Sequence, residues 1–130
     1  MRHRLVLMLV LLLVQCSKKL PTAPDPDPSA DPVSYAATIQ PIFNARCVSC
    51  HSASVPQSGV AMQSHAAVMA SVGTLYAGPI VIAGNPDTSP LVDKIEPGPR
   101  FGSRMPQGSS LSSSQITAIR RWIQEGARNN

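Results

Sequence analysis

Two cysteines and a histidine stand close together in the first half of the chain, in the stretch Cys47-Val48-Ser49-Cys50-His51. This is the C-x-x-C-H spacing with which proteins attach a c-type haem. On one turn of a helix, the two thiols can add across the two vinyl groups of a haem and form thioethers, while the adjacent histidine reaches the iron. The stretch therefore predicts one covalently bound haem c, attached by Cys47 and Cys50, with His51 as the proximal iron ligand.

Three other uses of a C-x-x-C pair stay open as alternatives. A thioredoxin-like redox site normally follows a strand, whereas residues 39–46 are predicted to be helical. A structural zinc site needs two further ligands at matching spacing, and His65 is the single additional histidine after the motif. A plain disulfide between Cys47 and Cys50 is the third alternative. Haem attachment is favoured because the complete five-residue motif is specific and the chain carries an export signal, described below.

The sixth coordination position of the iron has four candidate ligands downstream of the motif, namely Met62, His65, Met69 and Met105. Met105 is preferred because it lies in a glycine- and serine-rich loop at residues 98–110, where it has no helical apolar face to join. The following Pro106 restricts the backbone and stiffens the approach of the methionine.

The other candidates have simpler structural interpretations. Met62 and Met69 are seven residues apart, so we expect them on the buried face of a short helix near residues 64–71. His65 is expected to be a surface or hydrogen-bonded residue, and it remains the rival ligand because bis-His coordination is a known form of c-type haem.

A helix must lead into the haem motif. We predict that it begins at Pro32 with Asp31 as its N-cap, and that it kinks or restarts at Pro41. Ile42 and Phe43 then lie on one side and are expected to pack against the porphyrin.

Two further elements are predicted after the motif. An apolar extended run at residues 79–83 should add Ile80 and Ile82 to the haem packing, and Ser89 should cap a helix at residues 90–95. A last helix at residues 111–127 has serine caps at residues 112–114 and an apolar face that includes Trp122. We expect Trp122 to pack on the haem-binding helix.

The N-terminus has the layout of an export signal. A positive start is followed by an apolar run at residues 5–14, which is shorter than the about 20 residues that span a bilayer. Leu13-Val14-Gln15-Cys16 resembles a bacterial lipobox, although Gln15 departs from the small residue usual there. The resemblance implies a signal peptide at residues 1–15 and lipidation of Cys16. An uncleaved anchor or a signal cut elsewhere is the alternative.

Residues 16–32 are predicted to form a linker. Five prolines and three Asp-Pro pairs favour an extended polyproline II conformation, so this segment can hold a domain near a membrane. The remaining residues 33–130 form the predicted domain.

The composition of that domain limits its function. It contains seven basic and four acidic residues and no dense basic stripe, so nucleic-acid binding is not expected. The whole chain has only one tryptophan, two tyrosines and two phenylalanines. Small domains with such thin cores usually depend on a disulfide, a metal or a cofactor. We therefore predict that residues 33–130 are largely unfolded without haem.

Several segments between about residues 35 and 127 keep the order of a known family. They are Ile39-Gln40-Pro41-Ile42-Phe43, Gly59-Val60-Ala61-Met62, Gly84-Asn85-Pro86-Asp87, Arg104-Met105-Pro106 and Trp122-Ile123. Together with the haem motif, they resemble small class I cytochromes c of the planctomycete type. The resemblance departs at Val60, where that family often has a second glycine. It implies an all-α cytochrome c fold with three to five helices around one haem, with His51 proximal and Met105 distal.

Such a protein is expected to be an electron carrier and not an enzyme. The expected partners are a membrane quinol-oxidising complex and an oxidase or reductase, with Arg46, Arg100 and Arg104 as a docking rim. The expected location is the periplasm or the cell surface, anchored by lipid to the inner or outer membrane. The alternatives are a haem-based sensor, a peroxidase-like enzyme with a displaceable sixth ligand, or a fixed haem subunit of a respiratory complex.

Overall fold

The computed structural model describes residues 31–130, and the predicted signal peptide, Cys16 and nearly all of the predicted linker lie outside these residues. Four α-helices carry the described part of the chain, and they are α1 (Gln40–Arg46), α2 (His65–Ala70), α3 (Pro90–Ile95) and α4 (Ser113–Gln124). Two short strands, β1 (Val72–Gly73) and β2 (Gly78–Pro79), pair antiparallel with Val72 opposite Pro79. This mostly helical architecture with little sheet is compatible with the expected cytochrome c class. No helix within residues 31–130 has the length and apolar character needed to cross a bilayer.

The first helical segment begins later than predicted. Its N-cap is Ser34, whose Oγ accepts a hydrogen bond of 3.1 Å from the amide of Ala37, so the prediction of a start at Pro32 with Asp31 as cap is wrong. A short π-helical turn, Tyr35–Ile39, runs directly into α1. Pro41 lies in the first turn of α1, where its missing N–H costs no helical hydrogen bond. The α-helix thus begins afresh at Gln40, which agrees with the predicted restart of the helix at Pro41.

Trp122 joins the two ends of the described chain. Its ring lies 5.3 Å from that of Tyr35 and 6.4 Å from that of Phe43, between ring centroids, and only 1% of the residue is exposed. The indole N–H donates to the carbonyl of Arg128 at 2.9 Å, so its polar atom is satisfied inside the core. The prediction that Trp122 packs on the haem-binding helix is confirmed.

Helix α4 begins with the serine cap predicted for it and ends close to a glycine. Ser112 and Gln115 form a reciprocal capping box at its start, with each side chain bonded to the other residue's backbone. Gly126 follows its end with a φ of +97°, a left-handed conformation that suits glycine. The inward face of the helix carries Ile119, Trp122 and Ile123, all buried.

Ser89 has a different role from the one predicted. It stands at the start of α3, but its side chain makes no cap hydrogen bond to that helix. The buried hydroxyl instead accepts from the amide of Ile82 at 2.9 Å and donates to the carbonyl of Asn85 at 2.8 Å. The hydrogen bonds of Ser89 therefore hold the preceding turn at the start of α3.

Met62 lies outside the helix in which it was predicted. Helix α2 begins only at His65 with Ser64 as its N-cap, and Val68 is its fully buried residue. Met62 precedes this helix and is buried, whereas Met69 is partly buried against the core.

Candidate functional site

A cavity of about 340 Å³ lies between the haem motif and the loop that precedes α4. Residues that the sequence singled out line this cavity, among them Arg46, Cys47, Cys50, His51, Met62, Ile80 and Met105. The chain segments that supply them lie far apart in sequence, so the fold gathers them at one place.

The first wall of the cavity is the turn that follows α1. The amides of Cys50 and His51 both donate to the carbonyl of Cys47, at 3.1 and 2.9 Å, so the motif forms one compact turn. Cys47 is half-buried and Cys50 is exposed, and both are free thiols. Burial raises the pKa of the Cys47 thiol to about 11, although the charge of Arg46 opposes this shift. Cys47 is therefore protonated at neutral pH.

The imidazole of His51 is oriented by a backbone carbonyl. Its Nδ1 lies 3.1 Å from the carbonyl oxygen of Gln57. Because a carbonyl only accepts, Nδ1 carries the proton in this contact, and the lone pair of the imidazole is left on Nε2. Histidines that bind metals typically hold their other ring nitrogen in this way. This donor arrangement fits an iron ligand.

The rest of the cavity wall is largely apolar. Three side chains that sequence reasoning did not assign to the site join Ile80 there, namely Val60, Leu91 and Ile95. Met62, one of the four candidate iron ligands, also lines the cavity. Leu91 and Ile95 are four residues apart on α3 and share one face of that helix, a spacing that was available as a signal. Such a lining suits a flat, mostly apolar macrocycle.

The other residues expected to pack on the haem lie elsewhere. Phe43 is fully buried in the aromatic core, and Ile42 packs against the same core. Ile82 is 36% exposed and does not line the cavity, unlike its neighbour Ile80. The haem contacts of all four residues stay predictions.

Met105 reaches the cavity from the loop between α3 and α4. The residue is half-buried, and its amide donates to the carbonyl of Lys94 at 2.7 Å. Pro106 beside it also lines the cavity. The backbone hydrogen bond of Met105 thus joins the loop to α3.

His65 is engaged away from the cavity. Its Nε2 lies 2.7 Å from the carbonyl oxygen of Ala127, and its ring packs edge-on against Tyr35, with centroids 4.9 Å apart. This agrees with the hydrogen-bonded role expected for it and leaves the cavity to Met105 and Met62.

Two of the three alternatives to haem find no support in the described part of the chain. Cys47 follows a helix, not the strand that a thioredoxin-like site requires. Within residues 31–130, no three His, Cys, Asp or Glu side chains converge as they would at a structural zinc site.

Charged side chains surround the cavity. Arg46 donates to the carbonyl of Ser110 at 2.9 Å, and Arg104 donates to that of Ile95 at 2.8 Å.

Asp93 accepts from Arg100 and from the Tyr76 hydroxyl. Burial opposes the ionisation of Asp93, but these hydrogen bonds outweigh it and lower the pKa of the carboxyl. Burial and the bond to Asp93 raise the pKa of Tyr76 to about 12.

A small helical domain whose C-x-x-C-H turn and methionine loop share one cavity has the features of a cytochrome c. Residues 47–107 match the family model for planctomycete cytochrome c. The match supports a planctomycete-type cytochrome c domain in this part of the chain, as the resemblance predicted. The family indicates a haem-binding electron-transfer protein with a covalent c-type haem. No curated protein and no solved structure matches the chain.

Proposed function

We propose that residues 33–130 form a one-electron carrier with a single haem c attached by Cys47 and Cys50. His51 is the proximal iron ligand and Met105 is the distal one. The observation that carries the proposal is the single cavity lined by all four side chains, in which His51 already has its Nδ1 bound to a carbonyl.

The residues around the cavity have separate tasks in this proposal. The haem, when bound, supplies a one-electron change of oxidation state at its iron. Gln57 fixes the tautomer and orientation of His51, and the thioether of Met105 favours the reduced state and raises the reduction potential. The apolar side chains of the wall exclude water and so limit reorganisation around the site. Since His51 and Met105 would both bind the iron, no coordination position would be left for a substrate, which supports a carrier and not an enzyme.

The experiment that tests this function is a potentiometric titration of the exported chain with its haem. We expect one haem per chain and a reversible transition that fits a single one-electron step. A protein without covalent haem, or one whose reduced form binds carbon monoxide readily in its native state, would contradict the proposal. Ready binding would favour the sensor or peroxidase-like alternative.

A positively charged rim favours acidic redox partners. Arg46 and Lys94 line the cavity, while Arg100 lies over the ring of Tyr76 and Arg104 bonds to Ile95, two residues of its wall. Among the described ion pairs, only Arg100 of these four has an acidic partner, Asp93. The other acidic residues with described ion pairs, namely Asp87, Glu96 and Glu125, bind arginines of α4. Long-range attraction between this rim and an acidic protein surface speeds the encounter and is screened by salt.

We expect electron transfer to an acidic partner to slow as the ionic strength rises. The Arg46→Gln variant should transfer electrons severalfold more slowly at low salt. At high salt it should approach the wild-type rate, because the screening length falls to about 3 Å at 1 M and the charge of Arg46 no longer acts at a distance. Arg128→Gln, which removes a charge outside the cavity lining, is the matched control. Stopped-flow rates measured over a salt series decide the matter, and equal effects of the two variants would refute a localised docking rim.

The segment before the domain completes the proposal. We propose that residues 1–15 direct export, that Cys16 carries a lipid, and that the proline-rich linker holds the domain at the periplasmic or outer surface of a bacterial membrane. The Cys16→Ser variant is expected to move from the membrane fraction to the soluble fraction with its haem retained. A variant that stays in the membrane fraction would show that the lipid is not the anchor.

A further inference from the structure

The loop that carries Met105 has little apolar packing of its own. Residues 97–110 are rich in glycine, proline and serine, and the one aromatic side chain among them, Phe101, is 49% exposed. Phe101 contacts the edge of Tyr76 at 5.1 Å between centroids. Because so few side chains of this loop are buried, polar contacts to its neighbours must define its path.

The first of these contacts comes from Asp93 on α3. Its carboxylate accepts from the backbone amide of Arg100 at 3.0 Å and from the guanidinium of the same residue at 3.3 Å. The hydroxyl of Tyr76 also donates to Asp93. This carboxylate anchors the start of the loop.

Lys94, the next residue of α3, makes the contacts nearest to the methionine. Its ammonium donates to the carbonyl of Phe101 at 2.9 Å and also to the carbonyl of Ser103. Its own carbonyl accepts from the amide of Met105 at 2.7 Å. Hydrogen bonds from a charged donor are stronger than those between neutral groups. Lys94 therefore binds the loop through its side chain at Phe101 and Ser103 and through its backbone at Met105.

Gly102 permits this arrangement. It lies between the two carbonyls that Lys94 binds, and its φ of +64° is in the left-handed region that glycine adopts without strain. A Cβ at this position would lie 3.5 Å from the Lys94 ammonium and 3.4 Å from the Leu75 side chain. The backbone therefore turns so that both carbonyls reach the same ammonium.

We propose that Lys94 is a positioning residue for Met105. It binds the loop so that the methionine stays in the cavity and resists displacement by another ligand. The inference rests on the proposed function, because it takes Met105 as the distal ligand. Lys94 acts here through its ammonium and not as a ligand itself.

Binding of imidazole to the oxidised holoprotein tests this role, because an added ligand must first move the methionine and its loop. In the Lys94→Met variant, which keeps the aliphatic stem and loses the donors, we expect the apparent affinity for imidazole to rise about tenfold or more. Lys94→Arg, which keeps a charged donor, should restore most of the resistance. Asp93→Asn weakens the other anchor and should raise the affinity by a smaller factor. Amide hydrogen exchange at Met105 should speed up in the same order.

Ser34→Ala is the control for a general loss of stability. It removes the N-cap of the first helical segment, which lies outside the cavity lining and makes no described contact with the Met105 loop. The proposal is overturned if Lys94→Met binds imidazole no better than wild type, or no better than Ser34→Ala. Failure of the proposed function looks different, since the wild-type protein itself would then bind imidazole freely and would be insensitive to Met105→Ala.

Discussion

Met105→Ala is expected to lower the reduction potential and to open the iron to added ligands. Loss of a thioether ligand removes the preference for the reduced state, and we expect a fall on the order of 0.1 V, a fraction of the roughly 0.8 V range that axial ligands span. The reduced variant should bind carbon monoxide, which the wild-type protein should refuse. Potentiometry and carbon monoxide difference spectra measure the two effects.

Met62 provides the matched control for this experiment. It lines the same cavity and is buried, so Met62→Leu replaces a second thioether at nearly constant volume. We expect this variant to keep the wild-type potential and to exclude carbon monoxide. If Met62→Leu shifts the potential and Met105→Ala does not, Met62 is the distal ligand and the proposed coordination is wrong.

Loss of the haem is expected to unfold most of the domain. In a Cys47→Ala/Cys50→Ala chain without haem, we expect weak helical circular dichroism and no cooperative melting transition. An empty cavity of 340 Å³ would cost up to about 8 kcal/mol at the per-volume cost measured for core cavities. This is an upper figure, because the cavity opens to solvent. It is nevertheless comparable with the about 5–15 kcal/mol that stabilises a typical domain.

Cys16→Ser is the control for the loss of a cysteine, because Cys16 lies outside the predicted domain. With haem attached, it should melt as cooperatively as the wild-type chain. A compact Cys47→Ala/Cys50→Ala chain that melts cooperatively would show that the aromatic core around Trp122 suffices for folding. The haem would then fill a preformed site instead of completing the core.

The features that the sequence predicted correctly depend on short-range signals. The C-x-x-C-H turn and the caps of α4 are set by residues within a few positions of one another. Trp122 was predicted on the core side because its helix has one clear apolar face. In a small domain, few other helices are available for such a face to pack against. Met105 was singled out because a methionine in a polar loop lacks a local packing role, and the structure places it at the cavity.

Other features depend on contacts between distant residues and left no local signal. Ser34 and Asp31 are both good caps by residue type, and contacts of Ser34 and Tyr35 with Asn130 favour the later start. Ser89 has the position of a cap, yet its hydroxyl is taken by the turn at residues 82–85. The spacing of α1 indicated one apolar side for Ile42 and Phe43, but not which residue of α1 would contact Trp122, which is Phe43. Local sequence does not distinguish Lys94 from a surface lysine, because the carbonyls that it binds belong to the loop, at Phe101 and Ser103.

An absorption spectrum of the purified full chain, recorded oxidised and reduced, tests the central claim most directly. The account predicts a low-spin c-type haem in both states, together with a methionine-to-iron charge-transfer band in the oxidised protein that disappears in Met105→Ala and persists in Met62→Leu. An oxidised wild-type protein with a high-spin spectrum and no such band would contradict coordination by His51 and Met105.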